Sequence, residues 1–318
     1  MSVTLSTIEA TLADLREHET SGSGRGVRTH MLDLVVFCDR REQADQMVEV
    51  VASLPYSRPS RAIIALGLDD ESDVVADARV FCTPVSGDSN GVQVCSEIVS
   101  LSSGRGGIAL PSLVAGLLLP DLPVFLHWRA EPDASRVVLS RLWELATRVV
   151  VDSTAVARAL DSISTLVQRQ PARSVTDLSW TKITGWREAV ARAFDNADNA
   201  AALAQLTHIE ITHVGTSDAQ ARLLAAWLAS RTGRAPVISI STQVDDDMRD
   251  GSLTRVELTC DAERYRVTRV EEGIGLVEAP RLPEHSVPLR VPPLRGLLAQ
   301  ELEFLGRDRI FEQAVTSL

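Results

Sequence analysis

The stretch from Leu117 to Trp128 constrains this chain more than any other. It follows an apolar segment that is predicted to be a short helix, and it leads into an almost continuously apolar run, Leu122 to Trp128. Pro120 and Pro123 end the helix, because proline cannot donate a backbone hydrogen bond and favours extended geometry in the residue before it. The run after the prolines is therefore predicted to be a strand buried on both faces, as in a parallel sheet.

A membrane-spanning helix is the alternative interpretation of Ile108 to Trp128, a stretch of 21 residues with one formal charge. That charge, Asp121, would cost roughly 2.5 to 3.5 kcal/mol inside a bilayer. Three prolines also interrupt the stretch. A buried strand explains it better, and no membrane partner is expected.

The charge balance bears on possible partners and on location. Proteins that bind a phosphate backbone draw on clustered Lys and Arg. This chain has a net charge of −11 and no long basic run, so no nucleic-acid partner is expected. Its first residues include Glu9, Asp14, Arg16 and Glu17, where a signal peptide would have an apolar segment. These features predict a cytoplasmic protein.

The length of 318 residues suits two domains. The alternation of strand and helix patterns predicts an α/β fold, in which each domain has a mainly parallel or mixed sheet flanked by helices. Residues 1–28 are predicted to be an N-terminal helix and a flexible connection. Residues 29–170 are predicted to form an N-terminal α/β domain, and residues 171–318 a C-terminal α/β domain.

In the first domain, a strand over Leu32 to Cys38 leads into a helix. Asp39 and Glu42 have the spacing of a capping box at the start of that helix. Further along, Ala78 to Pro84 and Gly91 to Ser100 predict two strands joined by a turn-rich segment. These two strands are expected to pair antiparallel, in a sheet otherwise built from strand, helix and strand units.

The second domain repeats the pattern and adds a meander of more polar strands. A helix over Trp180 to Phe194 is predicted to break at Gly185, and Ser217 with Gln220 is predicted to cap another helix. Five prolines from Pro280 to Pro293 indicate an extended strap across the surface, before two closing helices.

The cysteines are Cys38, Cys82, Cys95 and Cys260, and none belongs to a CxxC pair. They are interpreted as buried, reduced residues of strands, where a thiol behaves as a small hydrophobic group. Cys82 and Cys95 would face each other if their strands pair. A redox role therefore stays open for these two.

Gly104 to Ala109 fits the pattern G-x-G-x-x-A between a predicted strand and a predicted helix. Such a loop can hold a pyrophosphate, and Glu131 lies where a ribose-binding carboxylate could sit. The loop lies in the middle of the domain, so a plain Gly-rich turn is preferred and a nucleotide- or sugar-phosphate-binding protein or enzyme is the alternative. His208 and His213 are five residues apart in a predicted strand, on opposite faces, which argues against a shared metal.

Several short motifs follow one another along the chain in a recognisable order. They are Ser57-Arg58-Pro59-Ser60-Arg61, Cys95-Ser96-Glu97-Ile98, Leu119-Pro120-Asp121-Leu122-Pro123-Val124, Val151-Asp152-Ser153, Asp177-Leu178-Ser179-Trp180 and Trp186-Arg187-Glu188. In this order they resemble the OpcA family, the glucose-6-phosphate dehydrogenase assembly proteins of actinobacteria and cyanobacteria. The family commonly has Trp-Trp where this chain has His127-Trp128, and often Pro where it has Gly185.

The resemblance implies a non-catalytic protein without a cofactor. Such a protein binds glucose-6-phosphate dehydrogenase, promotes its active oligomer and activates it in the oxidative pentose phosphate pathway. Partners of α/β sheets tend to dock at the carboxyl ends of the strands, and aromatic and arginine anchors dominate interfaces. On that basis we expect partner contacts from Arg58, Arg61, His127, Trp128, Arg129 and Glu131.

Overall fold

A computed structural model of the protein describes residues 3–20, 26–27, 31–54, 60–84, 93–131, 136–156, 160–161, 163 and 174–318. Within it the chain forms two compact units. Unit 1 comprises Met1–Val151 and Leu294–Gly306, and unit 2 comprises Asp152–Pro293 and Arg307–Leu318.

The regular elements of the described residues are numbered in chain order. The strands are β1 (Gly26–Val27), β2 (Leu32–Cys38), β3 (Ser60–Gly67), β4 (Val75–Pro84), β5 (Gln93–Ser103), β6 (Val124–Trp128), β7 (Arg148–Val151), β8 (Ser174–Asp177), β9 (Leu206–Val214), β10 (Val237–Gln243), β11 (Leu253–Cys260), β12 (Glu263–Glu271), β13 (Ile274–Glu278) and β14 (His285–Pro288). The helices are α1 (Leu5–Thr20), α2 (Arg41–Ala52), α3 (Leu110–Leu117), α4 (Arg136–Leu145), α5 (Leu178–Lys182), α6 (Thr184–Arg192), α7 (Ala197–Ala202), α8 (Ala219–Thr232), α9 (Leu294–Glu303) and α10 (Arg309–Thr316).

The sheet of unit 1 has the parallel strand order β5-β3-β2-β6-β7. β4 pairs antiparallel with β5, which confirms the predicted pair of neighbouring strands. The short β1 pairs with the first residues of β5. Central strands of such a sheet are covered on both faces, and every residue of β2 and β6 is buried.

The strand predicted for Leu122 to Trp128 is confirmed as the buried parallel strand β6, although it begins at Val124 rather than Leu122. Asp121, between the two prolines, has a left-handed φ of 65°. The extended backbone of the strand therefore begins only after this turn. Ile108 to Trp128 forms a short helix, a turn and a strand rather than one membrane-spanning helix. In the part of the chain that the structure describes, no helix is long and apolar enough to cross a membrane.

A buried ion pair attaches α9 to unit 1. Arg148 at the start of β7 donates from Nη2 to Glu301 Oε2 over 2.7 Å, and both side chains are buried. The same guanidinium lies 5.9 Å from the ring centre of Phe125 and 5.6 Å from that of Phe304. The first of the two closing helices thus packs with the N-terminal sheet.

The sheet of unit 2 has the strand order β10-β9-β11-β12-β13-β14. β10 is parallel to β9, and the remaining neighbours are antiparallel, which confirms the predicted meander. Helices α6 and α8 pack on one face of this sheet. Leu223, Leu224 and Leu228 of α8 are buried there, because an apolar face of a helix must be covered.

Both predicted capping interactions are wrong. Arg40, not Asp39, is the N-cap of α2, and its side chain makes no capping hydrogen bond. Asp218 is the N-cap of α8, again without a capping bond. Ser217 instead donates its N–H to Asp250, a residue distant in sequence, so tertiary contacts replaced the local motif.

Two further predictions for unit 2 need correction. The break between α5 and α6 lies at Ile183 rather than Gly185, whose missing side chain leaves room for the carbonyl of Pro288. The proline tract is not a simple strap, because His285–Pro288 forms the edge strand β14 and pairs with β13. Its Pro288 lies at the end of this outermost strand, where a missing N–H is tolerated.

The interpretation of all four cysteines as reduced is wrong for two of them. Cys82 and Cys95 are partners in the β4–β5 register and form a disulfide bond, with their Cα atoms 4.0 Å apart. Cys38 and Cys260 are free and buried, as expected.

Candidate functional site

The sheet of unit 1 has a topological switch point between β2 and β6. β3 and β5 lie on one side of β2, and β6 and β7 lie on the other. Ligands of open α/β sheets bind outside the carboxyl ends of the strands at such a point. The segments that follow the two strands, Cys38 to Arg41 and Arg129 to Glu131, therefore border the position where a coenzyme would be expected.

Two buried aromatic side chains lie at the ends of these strands. The rings of Phe37 and Trp128 stack with centroids 4.4 Å apart and an interplanar angle of 7°. Both side chains are buried, and Arg129 N–H donates to Phe37 O over 3.0 Å. Burial also raises the pKa of the neighbouring Cys38 thiol to about 12, so it is not a thiolate nucleophile. The ends of β2 and β6 at the switch point are therefore packed against each other through these two rings.

The Gly104 loop does lie between a strand and a helix, as predicted. Four of its backbone donors, however, are already used. The N–H groups of Gly104, Arg105 and Gly106 donate to carbonyls of residues 72, 70 and 68, and that of Gly107 donates to Gly104 O. A phosphate cradle needs such N–H groups to point at the ligand.

Close packing explains the glycines of this loop. Gly106 and Gly107 have φ values of 63° and 78°, which glycine adopts without strain. A Cβ atom added to Gly67 would lie 2.7 Å from Gly106 O, so the turn after β3 and the loop after β5 touch through their backbones. The loop is therefore a packing element of unit 1.

Among the candidate partner-binding residues, Arg61 lies at the amino end of its strand. Its guanidinium is buried, and Nε donates to Glu97 Oε2 over 2.7 Å while Nη1 donates to Glu9 Oε1 over 2.6 Å. Glu97 also binds Arg16 of α1. Arg61 therefore attaches the N-terminal helix to the sheet.

The other candidates follow β6 or lie at its end. The side chains of His127 and Trp128 are buried, and His127 Nδ1 lies 3.1 Å from Val150 O. Arg129 is half-buried and Glu131 is exposed. Arg58 lies outside the described residues. The structure thus separates Arg61 from the β6 group at opposite ends of the parallel strands. Direct partner contact stays a prediction, and among the candidates that the structure describes only Arg129 and Glu131 can make it without rearrangement.

Sequence reasoning missed a polar cluster in unit 2, although the motifs that form it stand out in the chain. Lys182 Nζ lies 2.7 and 2.9 Å from the two carboxylate oxygens of Asp152. Asp177 Oδ1 accepts the N–H groups of Ser153 and Ser179, and the Ser179 and Thr154 hydroxyls are 2.7 Å apart. The signal that could have revealed this cluster was the presence of the two motifs Val151-Asp152-Ser153 and Asp177-Leu178-Ser179.

The role of this cluster is to stabilise the structure. Asp177 is completely buried, and burial, followed by the charge of Asp152, raises its pKa to about 6. Ser179 is equally buried, so its hydroxyl is not accessible to a substrate. Asp177 caps α5 and holds the turn after β7. The cluster joins two distant motifs within unit 2.

The two histidines considered as metal ligands are placed as the sequence predicts. His208 is exposed and His213 is buried, so these side chains lie on opposite faces of β9, as predicted. Across the described residues, no three His, Cys, Asp or Glu side chains are grouped as metal ligands would be.

Solved structures align with this chain at low identity. An oxidoreductase from Sinorhizobium meliloti aligns at 10% identity with a TM-score of 0.45, covering 91% of this chain and 86% of that one. Glucose-6-phosphate 1-dehydrogenase from Mycobacterium avium aligns at 11% identity with a TM-score of 0.44, covering 91% and 90%.

Curated relatives are found among cyanobacteria. The chain is 28% identical over 218 residues to the OxPP cycle protein OpcA of Nostoc punctiforme, and 26% identical over 191 residues to that of Synechocystis. The alignments cover 68% and 59% of this chain but 46% and 40% of the two relatives. The chain therefore spans less than half of their length.

Two family models match consecutive parts of the chain. Residues 34–171 match the N-terminal domain of the glucose-6-phosphate dehydrogenase subunit. Residues 173–315 match the C-terminal domain of the same protein family. Because the two matches together span nearly the whole chain, the protein belongs to the OpcA family of glucose-6-phosphate dehydrogenase assembly proteins.

Proposed function

We propose that this protein is a non-catalytic assembly factor that binds glucose-6-phosphate dehydrogenase and activates it. It promotes the active oligomer of the dehydrogenase in the oxidative pentose phosphate pathway, in the cytoplasm. The observation that carries the proposal is the match of residues 34–171 and 173–315 to the two domains of the OpcA family.

The geometry of unit 1 supports a binding role over a catalytic one. The Phe37–Trp128 stack lies at the ends of the two strands that flank the switch point, beside the position where an α/β enzyme would hold its coenzyme. The N–H groups of Gly104 to Gly107 are bonded to backbone carbonyls. A phosphate held by these donors would have to displace those bonds, so the alternative of a nucleotide- or sugar-phosphate-binding enzyme gains no support.

The surface after β6 is our candidate for contact with the dehydrogenase. Arg129 and Glu131 lie at the carboxyl end of the strand, where partners of α/β sheets dock. A stable complex buries about 1,600 Å² in total, so these residues would be part of a larger contact region.

Mixing the purified chain with purified dehydrogenase tests the proposal. We expect a complex by size-exclusion chromatography with light scattering, together with a higher rate of NADPH formation than the dehydrogenase gives alone. Arg129→Ala with Glu131→Ala should weaken both effects at least tenfold. Glu188→Ala with Arg192→Ala, an exposed pair on α6, is the matched control and should change neither.

Two results would contradict the proposal. One is an unchanged oligomer and rate at a saturating concentration of the chain. The other is stabilisation of the chain alone by glucose 6-phosphate or a nicotinamide nucleotide, since a ligand at 100 times its Kd adds about 2.7 kcal/mol to the unfolding free energy. The second result would favour the metabolite-binding alternative.

A further inference from the structure

One of the two outermost strands of the unit 2 sheet, β10, is open on one edge. β10 pairs with β9 along its whole length, from Val237 opposite His208 to Gln243 opposite Val214. Its other edge has no partner strand among the described residues. Six of its seven residues are exposed, and Ile240 is half-buried.

β10 lacks the features that usually protect such an edge. Natural edge strands are short, bulged, charged or interrupted by proline, because unpaired N–H and C=O groups otherwise recruit another strand. β10 has the sequence Val-Ile-Ser-Ile-Ser-Thr-Gln, without charge or proline, and its register with β9 has no bulge. Apolar side chains nevertheless face solvent here: Val237 is 58% exposed, Ile238 44% and the following Val244 87%.

We propose that β10 pairs antiparallel with β10 of a second copy of this chain. A two-fold axis through Ile240 places this residue opposite itself, as isologous dimers require. Ser239 then lies opposite Ser241 of the second copy on one face. Ile238 lies opposite Thr242 on the other face, so residues of similar size meet on both faces.

The charges that flank the strand favour a second copy over an unrelated strand. In a chain with a net charge of −11, residues 235–244 carry no charge, so the strand itself adds no charge repulsion between two copies. Arg234 precedes the strand by three residues and Asp246 follows it by three, and both are exposed. Antiparallel pairing about Ile240 brings Arg234 of each copy near Asp246 of the other, which forms two complementary pairs.

Cysteine cross-linking tests this register directly. Across the proposed axis the two Cβ atoms of residue 240 are about 5 Å apart. Those of residue 237 are offset by six residues, about 20 Å. Under oxidising conditions we expect Ile240→Cys to give a covalent dimer on a non-reducing gel. Val237→Cys, on the same strand, should stay monomeric, as should the unmodified chain.

Sedimentation of the full chain alone supplies the second readout. We expect a species of twice the 34.5 kDa chain mass whose population rises with protein concentration. Arg234→Asp should weaken this association several-fold through like-charge repulsion with Asp246. The exchange Arg234→Asp with Asp246→Arg should restore it, whereas a merely structural effect of either substitution would not be reversed.

Three outcomes would overturn the inference. They are a monomer at every concentration up to several hundred micromolar, equal cross-linking at residues 237 and 240, and no recovery in the exchanged variant. A monomer whose binding to the dehydrogenase is lost on Ile240→Lys would assign the edge to a strand of the dehydrogenase. The cross-linking and sedimentation experiments use the chain alone, so they do not depend on the proposed function.

Discussion

Two of the outermost strands, β4 in unit 1 and β10 in unit 2, are protected to opposite degrees. β4 carries Asp77 and Arg79, is bonded to β5 through Cys82 and Cys95, and is packed against α1. β10 has no charge, no covalent link and almost no buried residue. Because charge and cover are the usual protection of an edge, the contrast marks β10 as a surface for association.

The packing of α1 over β4 depends on buried charged side chains. α1 is attached through Glu9 and Arg16, which pair with Arg61 and Glu97 of the sheet. Removing one partner of a buried pair leaves an uncompensated charge, which costs more than the pair contributes. A single substitution in these ion pairs can therefore loosen the helix that covers β4.

The largest expected effect comes from Glu97→Ala. It leaves Arg61, whose side chain is 1% exposed, without its buried carboxylate, and should lower the unfolding free energy of unit 1 by about 3 to 5 kcal/mol. Urea denaturation measures the loss, and hydrogen exchange should show faster exchange in β4. Glu9→Ala is the control, since Glu9 is 41% exposed and its loss should cost about 1 kcal/mol at most. Equal effects would mean that the buried pair does not hold α1.

The second effect in size concerns the disulfide of β4 and β5. It closes a loop with a sequence separation of 13, and a loop of this length contributes roughly 3 kcal/mol by restricting the unfolded chain. Cys82→Ser with Cys95→Ser should lower the urea midpoint accordingly. Reducing agent should lower the midpoint of the unmodified chain and leave that of the double variant unchanged. No shift in either would show that the bond does not stabilise unit 1.

Much of the fold could be predicted from local pattern. The strand Leu32 to Cys38 was predicted with its observed bounds, and the antiparallel pair around Cys82 and Cys95 was expected. Buried strands in a parallel sheet have a continuous apolar signal, which a single sequence shows directly. The capping predictions were wrong because a cap competes with tertiary partners, and Asp250, 33 residues away from Ser217, binds its N–H.

The candidate site was less predictable, because residue type does not show on which side of a sheet a group lies. Trp128 was expected to contact the partner, yet its side chain is buried against Phe37. Arg61 was expected at the same docking surface, yet it begins a strand that runs parallel to the one that Trp128 ends. Asp152 and Ser179 are hydrogen-bonded although they lie 27 residues apart in the chain. Contacts between such distant motifs leave no periodic signal in the sequence.

The two units should respond alike to pH. Burial raises the pKa of Asp33 in unit 1 and of Asp177 in unit 2 from 3.8 to about 6. Below about pH 4 each carboxyl is protonated in both the folded and the unfolded chain. Between about pH 4 and 6 only the unfolded chain releases the proton, so stability falls as pH rises, by roughly 2 to 3 kcal/mol per group.

Amide substitutions separate the two contributions. Asp33→Asn and Asp177→Asn should each flatten the fall of stability between pH 4 and 6 in their own unit. Urea midpoints at a series of pH values, with hydrogen exchange to assign the unit, measure this. An unchanged slope in the Asp177 variant would mean that this carboxyl ionises as readily when folded as when unfolded.

The smallest expected effect on stability is the sharpest check of the contrast between the two edges. Val237→Lys on β10 replaces a side chain that is 58% exposed, so the free energy of unfolding at low protein concentration should change by less than about 0.5 kcal/mol. Val80→Lys on β4, where the valine is 7% exposed, should cost several times more because a charge enters a covered strand. Comparable losses would mean that β10 is covered within its own chain, and the reason for expecting a second strand at that edge would be gone.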